Sequence, residues 1–134
     1  MTPVVVCDAS AIVAALLDGG PSGSWAARRL RQSRLAAPHL MPFEAANIVR
    51  RQELAGTIGR AESEQAHADL LDLDVELWPH EAVARAAWGH RHNLSIYDAS
   101  YVGLADALGA PLVTLDARIA RSPGIRCAVE TPPT

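Results

Sequence analysis

Residues 4–17 read VVVCDASAIVAALL, and the change of pattern at Asp8 decides how the chain is built. Val4 to Cys7 is a short β-rich run without alternation, which predicts a parallel strand covered on both faces. A helix is predicted to come next, with Ser10 as its N-cap. Asp8 therefore stands where strand gives way to helix. The chain repeats the device. SIYDASYVGLAD, residues 95–106, sets Asp98 in the same Asp-Ala-Ser triplet, and APLVTLDARIA, residues 110–120, places Asp116 directly after another apolar run.

Working outward, strand and helix alternate along the chain. DGGPSG, residues 18–23, is turn chemistry, and Trp25, Ala26 and Leu30 give a second helix its apolar side. Its glycines come after a helix rather than a strand, which argues against a phosphate loop. Leu35 to Ala37 predicts a brief strand, residues 43–55 a helix bracketed by Gly56 and Gly59, and residues 60–71 another helix. Val75 to Trp78 reads as a strand, residues 81–91 and 97–108 as helices, the latter closed by Gly109. Leu112 to Leu115 is the next strand, residues 117–120 a helical turn, and Arg126 to Val129 a last edge strand. The class is α/β, with a parallel sheet and helices on both faces.

Composition bounds the function. With 134 residues the chain is read as one domain, 1–134, able to bury a core without disulfides or a structural metal. Its longest apolar stretch, near residues 11–17, is far below the ~20 residues of a membrane helix, and Asp8 comes too early for a secretory leader. A soluble cytoplasmic protein with no membrane partner is expected. Cys7 and Cys127 both fall in predicted strands and read as buried, unpaired thiols. All 12 basic residues are arginine. The lack of lysine excludes a P-loop, Schiff-base chemistry and the receiver-domain pattern, which also places acids after strands. A net charge of −3 means that a nucleic-acid partner must be argued from local features. The aromatics are Phe43, two tyrosines and three tryptophans, too few for a base-stacking sheet.

In a parallel α/β sheet the ligand crevice lies beyond the carboxyl ends of the strands, which is where Asp8 and Asp116 fall. Asp98 lies in the first turn of a helix and can face the same crevice. Glu44 joins them: in PFEAANIVRR, residues 42–51, it opens a helix with Asn47 one turn later on the same face. Taken singly, each acid reads as a helix cap or a solvated charge as readily as a site ligand. Taken together, four acids converging on one crevice repel one another unless a cation is bound. Hard oxygen donors suit Mg²⁺ or Mn²⁺. The histidines form no zinc pattern: His90 and His92 diverge on a helix, HEAVA (residues 80–84) lacks a second histidine, and all five are expected at the surface.

Together, VVVCDASAI, PFEAANIVRR, SIYDASYVGLA and LVTLDARIAR resemble a PIN domain, and most closely the VapC toxins of bacterial VapBC toxin-antitoxin pairs. The resemblance covers nearly the whole chain. It implies a five-stranded parallel sheet of order 3-2-1-4-5, a homodimer, and a cognate VapB-like antitoxin. It further implies a Mg²⁺- or Mn²⁺-dependent endoribonuclease acting on transfer or ribosomal RNA. Asp8, Glu44, Asp98 and Asp116 would be its catalytic and metal-site acids. Ser10 would bond a metal-held water, Asn47 would orient Glu44, and Arg118 could approach the scissile phosphate or pair with a neighbouring acid. Arg28, Arg29, Arg31, Arg50 and Arg51 are candidate outlying RNA contacts, or solvated helix faces. In that strand order Cys7 and Cys127 lie about 10 Å apart, beyond disulfide reach. A haloacid-type phosphatase would need an acid where Ser10 stands. A PIN-type RNA-processing nuclease without antitoxin, or a module that binds RNA or protein without cutting, are the remaining alternatives.

Overall fold

The computed structural model describes residues 2–133. Five strands, β1 (Val4–Cys7), β2 (Arg34–Pro38), β3 (Val75–Trp78), β4 (Leu112–Val113) and β5 (Val129–Glu130), pair in parallel in the order β3-β2-β1-β4-β5. This is the expected order. Helices α1 (Ala9–Leu17), α2 (Pro21–Arg31), α3 (Met41–Leu54), α4 (Arg60–Asp72), α5 (His80–Gly89), α6 (Ile96–Leu108) and the short α7 (Ala117–Ala120) make the connections.

β1 is central because its sequence can be buried on both faces: Val5, Val6 and Cys7 are fully covered. Alternation along the strand sends Val6 into a large cluster with Ile12, Tyr101, Val102 and Leu104. Val5 joins a smaller cluster with Ala11 and Val113, packed against Trp25. In register, Val6 stands opposite Ala36 on β2 and Leu112 on β4. The carboxyl ends of β1 and β4 are thereby level, so Asp8 and the Thr114–Asp116 segment emerge at one edge of the sheet.

Several details differ from the sequence reading. α1 begins at Ala9 with Asp8 in the N-cap position, and Ser10 is already helical. Its hydroxyl is drawn across to Asp8 and to the Leu115 N–H rather than to the N–H groups of its own helix. β4 stops at Val113 because the N–H groups of Leu115 and Asp116 bond to the hydroxyls of Ser10 and Thr114 and so leave the ladder. β5 lies at Val129–Glu130, three residues beyond the predicted start at Arg126, because the Leu112 N–H pairs with the Ala128 carbonyl and the Thr114 N–H with that of Glu130. Cys127 consequently sits outside any strand, half-buried.

Both cysteines are free, as expected. Burial, then the charge of Asp8, pushes the Cys7 thiol up to about 12, and burial, then Asp106, pushes Cys127 up to about 11. His90 is also not where expected. Its side chain is 13% exposed and its Nε2 lies 3.4 Å from Asp106 Oδ2, because it ends α5 where that helix closes on α6. The contact between those helices is tight: a Cβ on Gly103 would come within 2.9 Å of the Ala86 Cβ. His39, His67, His80 and His92 are exposed. No helix among the described residues is long and apolar enough to cross a membrane.

Candidate active site

The four acids singled out by sequence are carried by four separate elements, and their charges act on one another. Asp8 comes directly after β1. Its Oδ2 accepts hydrogen bonds from Ser10 Oγ at 3.0 Å and from Thr114 Oγ1 at 2.6 Å. Thr114 is fully buried and also accepts from the Asp116 N–H at 3.0 Å. Ser10 accepts from the Leu115 N–H at 3.1 Å. Two hydroxyls therefore tie the end of β1 to the end of β4, and one carboxylate oxygen of Asp8 is held between them.

Glu44 enters from the first turn of α3, after Met41 and Pro42 have opened the helix. Its Oε1 accepts a 2.6 Å hydrogen bond from Tyr101 Oη on α6. Burial raises the Glu44 carboxyl above its ordinary value; the Tyr101 hydrogen bond opposes this, and the charges of Asp8 and Asp98 add to it. The Tyr101 phenol, almost wholly buried, is itself pushed upward by burial and then by its bond to Glu44. Asn47, expected to orient Glu44, makes no hydrogen bond to it; Tyr101 holds that position.

Asp98 lies in the first turn of α6, where its N–H is capped by Ser95 Oγ at 3.1 Å. Burial raises its carboxyl, the negative charges of Asp8 and Asp116 raise it further, and Arg118 pulls the other way. Asp116 caps α7 through the Arg118 N–H and is gripped by the Arg118 side chain, Nε to Oδ1 at 3.0 Å and Nη2 to Oδ2 at 2.6 Å. That bidentate pair holds Asp116 below the usual aspartate range. Of the two placements open for Arg118, the pair with an acid is the one observed.

The donors are all hard oxygens, the chemistry Mg²⁺ or Mn²⁺ requires. In the positions seen, no three His, Cys, Asp or Glu side chains among the described residues close round a point as metal ligands. Asp116 is turned onto Arg118 and Glu44 onto Tyr101. Binding an ion through Asp116 would need its bidentate grip on Arg118 to loosen, whereas Tyr101 occupies only one of the two Glu44 oxygens. Burial first, and then neighbouring acids, raise the Glu44 and Asp98 carboxyls, and an all-oxygen acidic lining of this kind fits a hard cation.

Beside Asp8 and Glu44 lies a cavity of ≈ 250 Å³, completed by Ala9, Ser10, Asn47, Ile48 and Arg51. A larger hollow of ≈ 610 Å³ opens at the opposite edge of the sheet, around Val4, Arg34 and Leu108, away from the acids. The small cavity is the chemically relevant one, since it holds two of the four carboxylates. Of the outlying arginines, Arg51 is part of it. Arg29 is taken by Glu130 at 2.5 Å, and Arg28 and Arg31 sit at the end of α2 that leads into the start of β2, the edge away from the acids. Sequence reasoning missed Tyr101 and Thr114. Tyr101 had a signal, since it falls one turn after Asp98 on the same helix; Thr114, two residues before Asp116, had none beyond its place in an apolar run.

The PIN domain family matches residues 5–125. Ribonuclease VapC1 of Mycobacterium tuberculosis (strain ATCC 25618 / H37Rv) is 37% identical over 126 residues, which span 93% of this chain and 95% of that protein. Among solved structures, PAE2754 from Pyrobaculum aerophilum aligns with a TM-score of 0.65 at 27% identity, covering 96% of this chain and 84% of that one. VapBC2 from Rickettsia felis, bound to a DNA fragment from its promoter, aligns with a TM-score of 0.67 at 16% identity over 97% and 99% of the two chains.

Proposed function

The chain belongs to the PIN-domain family, and from that membership we propose that it is a VapC-type endoribonuclease that hydrolyses phosphodiester bonds of RNA with the help of Mg²⁺ or Mn²⁺. What supports this reading is that four acids on four segments bear on one another by charge, Asp8 and Asp98 on Glu44, and Asp8 and Asp116 on Asp98, with burial raising Glu44 and Asp98 first. Folding gathers negative charge there, and none of Asp8, Glu44 or Asp98 makes an ion pair with an arginine among the described residues. Asp8, Glu44, Asp98 and Asp116 would hold the ion. When bound, it supplies Lewis acidity toward the phosphate and makes water a better nucleophile at neutral pH.

The protein's own residues supply orientation. Ser10 and Thr114 fix one oxygen of Asp8 and leave the other free for the crevice. Tyr101 does the same for Glu44. Arg118 shields Asp116 until the site is occupied, and its exposed guanidinium can then swing to the RNA. The partners of this reading are an RNA of the transfer or ribosomal class, a cognate VapB-like antitoxin and a second copy of the chain, in a cytoplasmic setting.

Purified protein incubated with RNA tests it. Cleavage should require Mg²⁺ or Mn²⁺, stop with chelator, and leave a 5′-phosphate and a 3′-hydroxyl, because water rather than the ribose 2′-OH attacks. Cyclic phosphate ends, or undiminished cleavage in chelator, would overturn it.

A further inference from the structure

Of the arginines near the acids, Arg118 and Arg51 differ in what they are free to do. Arg118 commits its guanidinium edge to Asp116. Arg51 is exposed and makes no ion pair with an acid among the described residues, although it lines the same cavity as Asp8 and Glu44. Helix α3 explains the placement. Glu44, Asn47 and Arg51 fall at positions i, i+3 and i+7, which share one face. Seven residues of rise carry Arg51 about 10 Å along the axis from Glu44, and helical side chains tilt toward the N-terminus, so Arg51 leans back toward the acid.

A polyanion meets repulsion from four carboxylates, and its backbone can settle beside them only where positive charge compensates. A free guanidinium offers two parallel N–H donors matched to a phosphate, and the Asn47 amide beside it adds a neutral donor. We infer that Arg51, with Asn47 next to it, forms a phosphate subsite on α3 that seats the RNA backbone alongside the acids, one phosphate removed from the bond that is cut. This deepens the ribonuclease reading and rests on it.

The test uses fluorescence anisotropy of a labelled single-stranded RNA that the wild type cleaves, measured on an uncleaving Asp98→Asn background with and without Arg51→Ala, across a range of salt. Arg51→Ala should weaken binding about 10-fold and lower the slope of log affinity against log salt by about 0.7, the loss of one phosphate contact on a single strand. Arg51→Lys should recover the slope but only part of the affinity, since it keeps the charge and loses the fork. In the cleaving protein the same change should raise KM and leave kcat within about threefold. A neutral methylphosphonate walked along the RNA should find one linkage at which Arg51→Ala causes no further loss.

Arg60→Ala is the control, an exposed arginine on α4 paired with Glu64. An equal loss from it would mean bulk charge rather than a subsite and overturn the inference. So would an unchanged salt slope, or a fall in kcat with KM constant, which would make Arg51 a charge balance for the acids. If Asp8→Asn cleaves like wild type, the ribonuclease site itself is misassigned and the subsite falls with it; if Asp8→Asn is inactive while Arg51→Ala binds normally, the subsite alone is wrong.

Discussion

Asp98 and Tyr101 show at the residue scale how one face of α6 serves both charge and support. Asp98 carries a carboxyl raised by burial and then by Asp8 and Asp116. A carboxyl whose folded value lies above its unfolded one gives stability that is present at low pH and is lost as pH rises through the folded value. The metal-free protein should therefore melt higher on acidification from pH 7 toward pH 5. Asp98→Asn should remove cleavage, raise the metal-free melting temperature at pH 7, and flatten that pH response, with Glu44 accounting for the remainder. Asp98 is half-exposed, so solvent screening keeps the gain below about 1 kcal/mol. Thermal melts in chelator across pH check this; a lower melting temperature for the variant would make Asp98 a structural cap. Tyr101→Phe acts in the opposite sense. The lost hydrogen bond normally lowers the Glu44 carboxyl, so Glu44 should titrate higher, the acid limb of the pH–rate profile should shift upward, and the fold should lose about 1 kcal/mol at neutral pH.

At the scale of elements, the site depends on two strand ends being locked level. β1 and β4 share only two register pairs, Val6 with Leu112 and Cys7 with Val113. Beyond them the ladder gives way to side-chain hydroxyls, Thr114 donating to Asp8 and Ser10 accepting from Leu115. Thr114→Val keeps the buried shape and removes a donor to Asp8 and an acceptor for the Asp116 N–H. It should cost about 2 kcal/mol of stability and reduce cleavage by loosening two acids at once. Ser10→Ala reaches the same Asp8 oxygen, so the double variant should show an effect clearly different from the sum of the two singles. Urea unfolding of the four proteins in the cycle measures the coupling; simple additivity would mean that the hydroxyls act independently.

For the whole molecule, the test is whether the acids behave as one site. An ion that binds the folded chain and not the unfolded one stabilises it by mass action, about 2.7 kcal/mol at a hundredfold excess over its dissociation constant. Mg²⁺ should raise the wild-type melting temperature, and Asp8→Asn, Glu44→Gln, Asp98→Asn and Asp116→Asn should each remove most of that gain although they lie on four different segments. A variant that keeps the full response marks an acid outside the cage. Asp116 is the most informative of the four, because its grip on Arg118 must loosen before it can serve.

The local pattern of the sequence was enough for the element order and for singling out the four acids. An unalternated Val-rich run of four reads as a strand buried on both faces, Gly109 closes α6 because its φ of 60° suits glycine, and the acids fall where each such element begins or ends. These are properties of neighbouring residues, and periodicity and cap chemistry carry them. What tertiary structure alone decided was the distant partners of Glu44 and Asp8. Tyr101 reaches Glu44 across 57 residues and Thr114 reaches Asp8 across 106, separations that no local pattern encodes. The same holds for the ends of β4 and β5, set by which N–H groups the hydroxyls draw away, and for His90, folded against Asp106. It also separated the two arginines: adjacency in sequence let Arg118 close on Asp116, whereas packing of α3 against α1 placed Arg51 beside Asp8 and left it free.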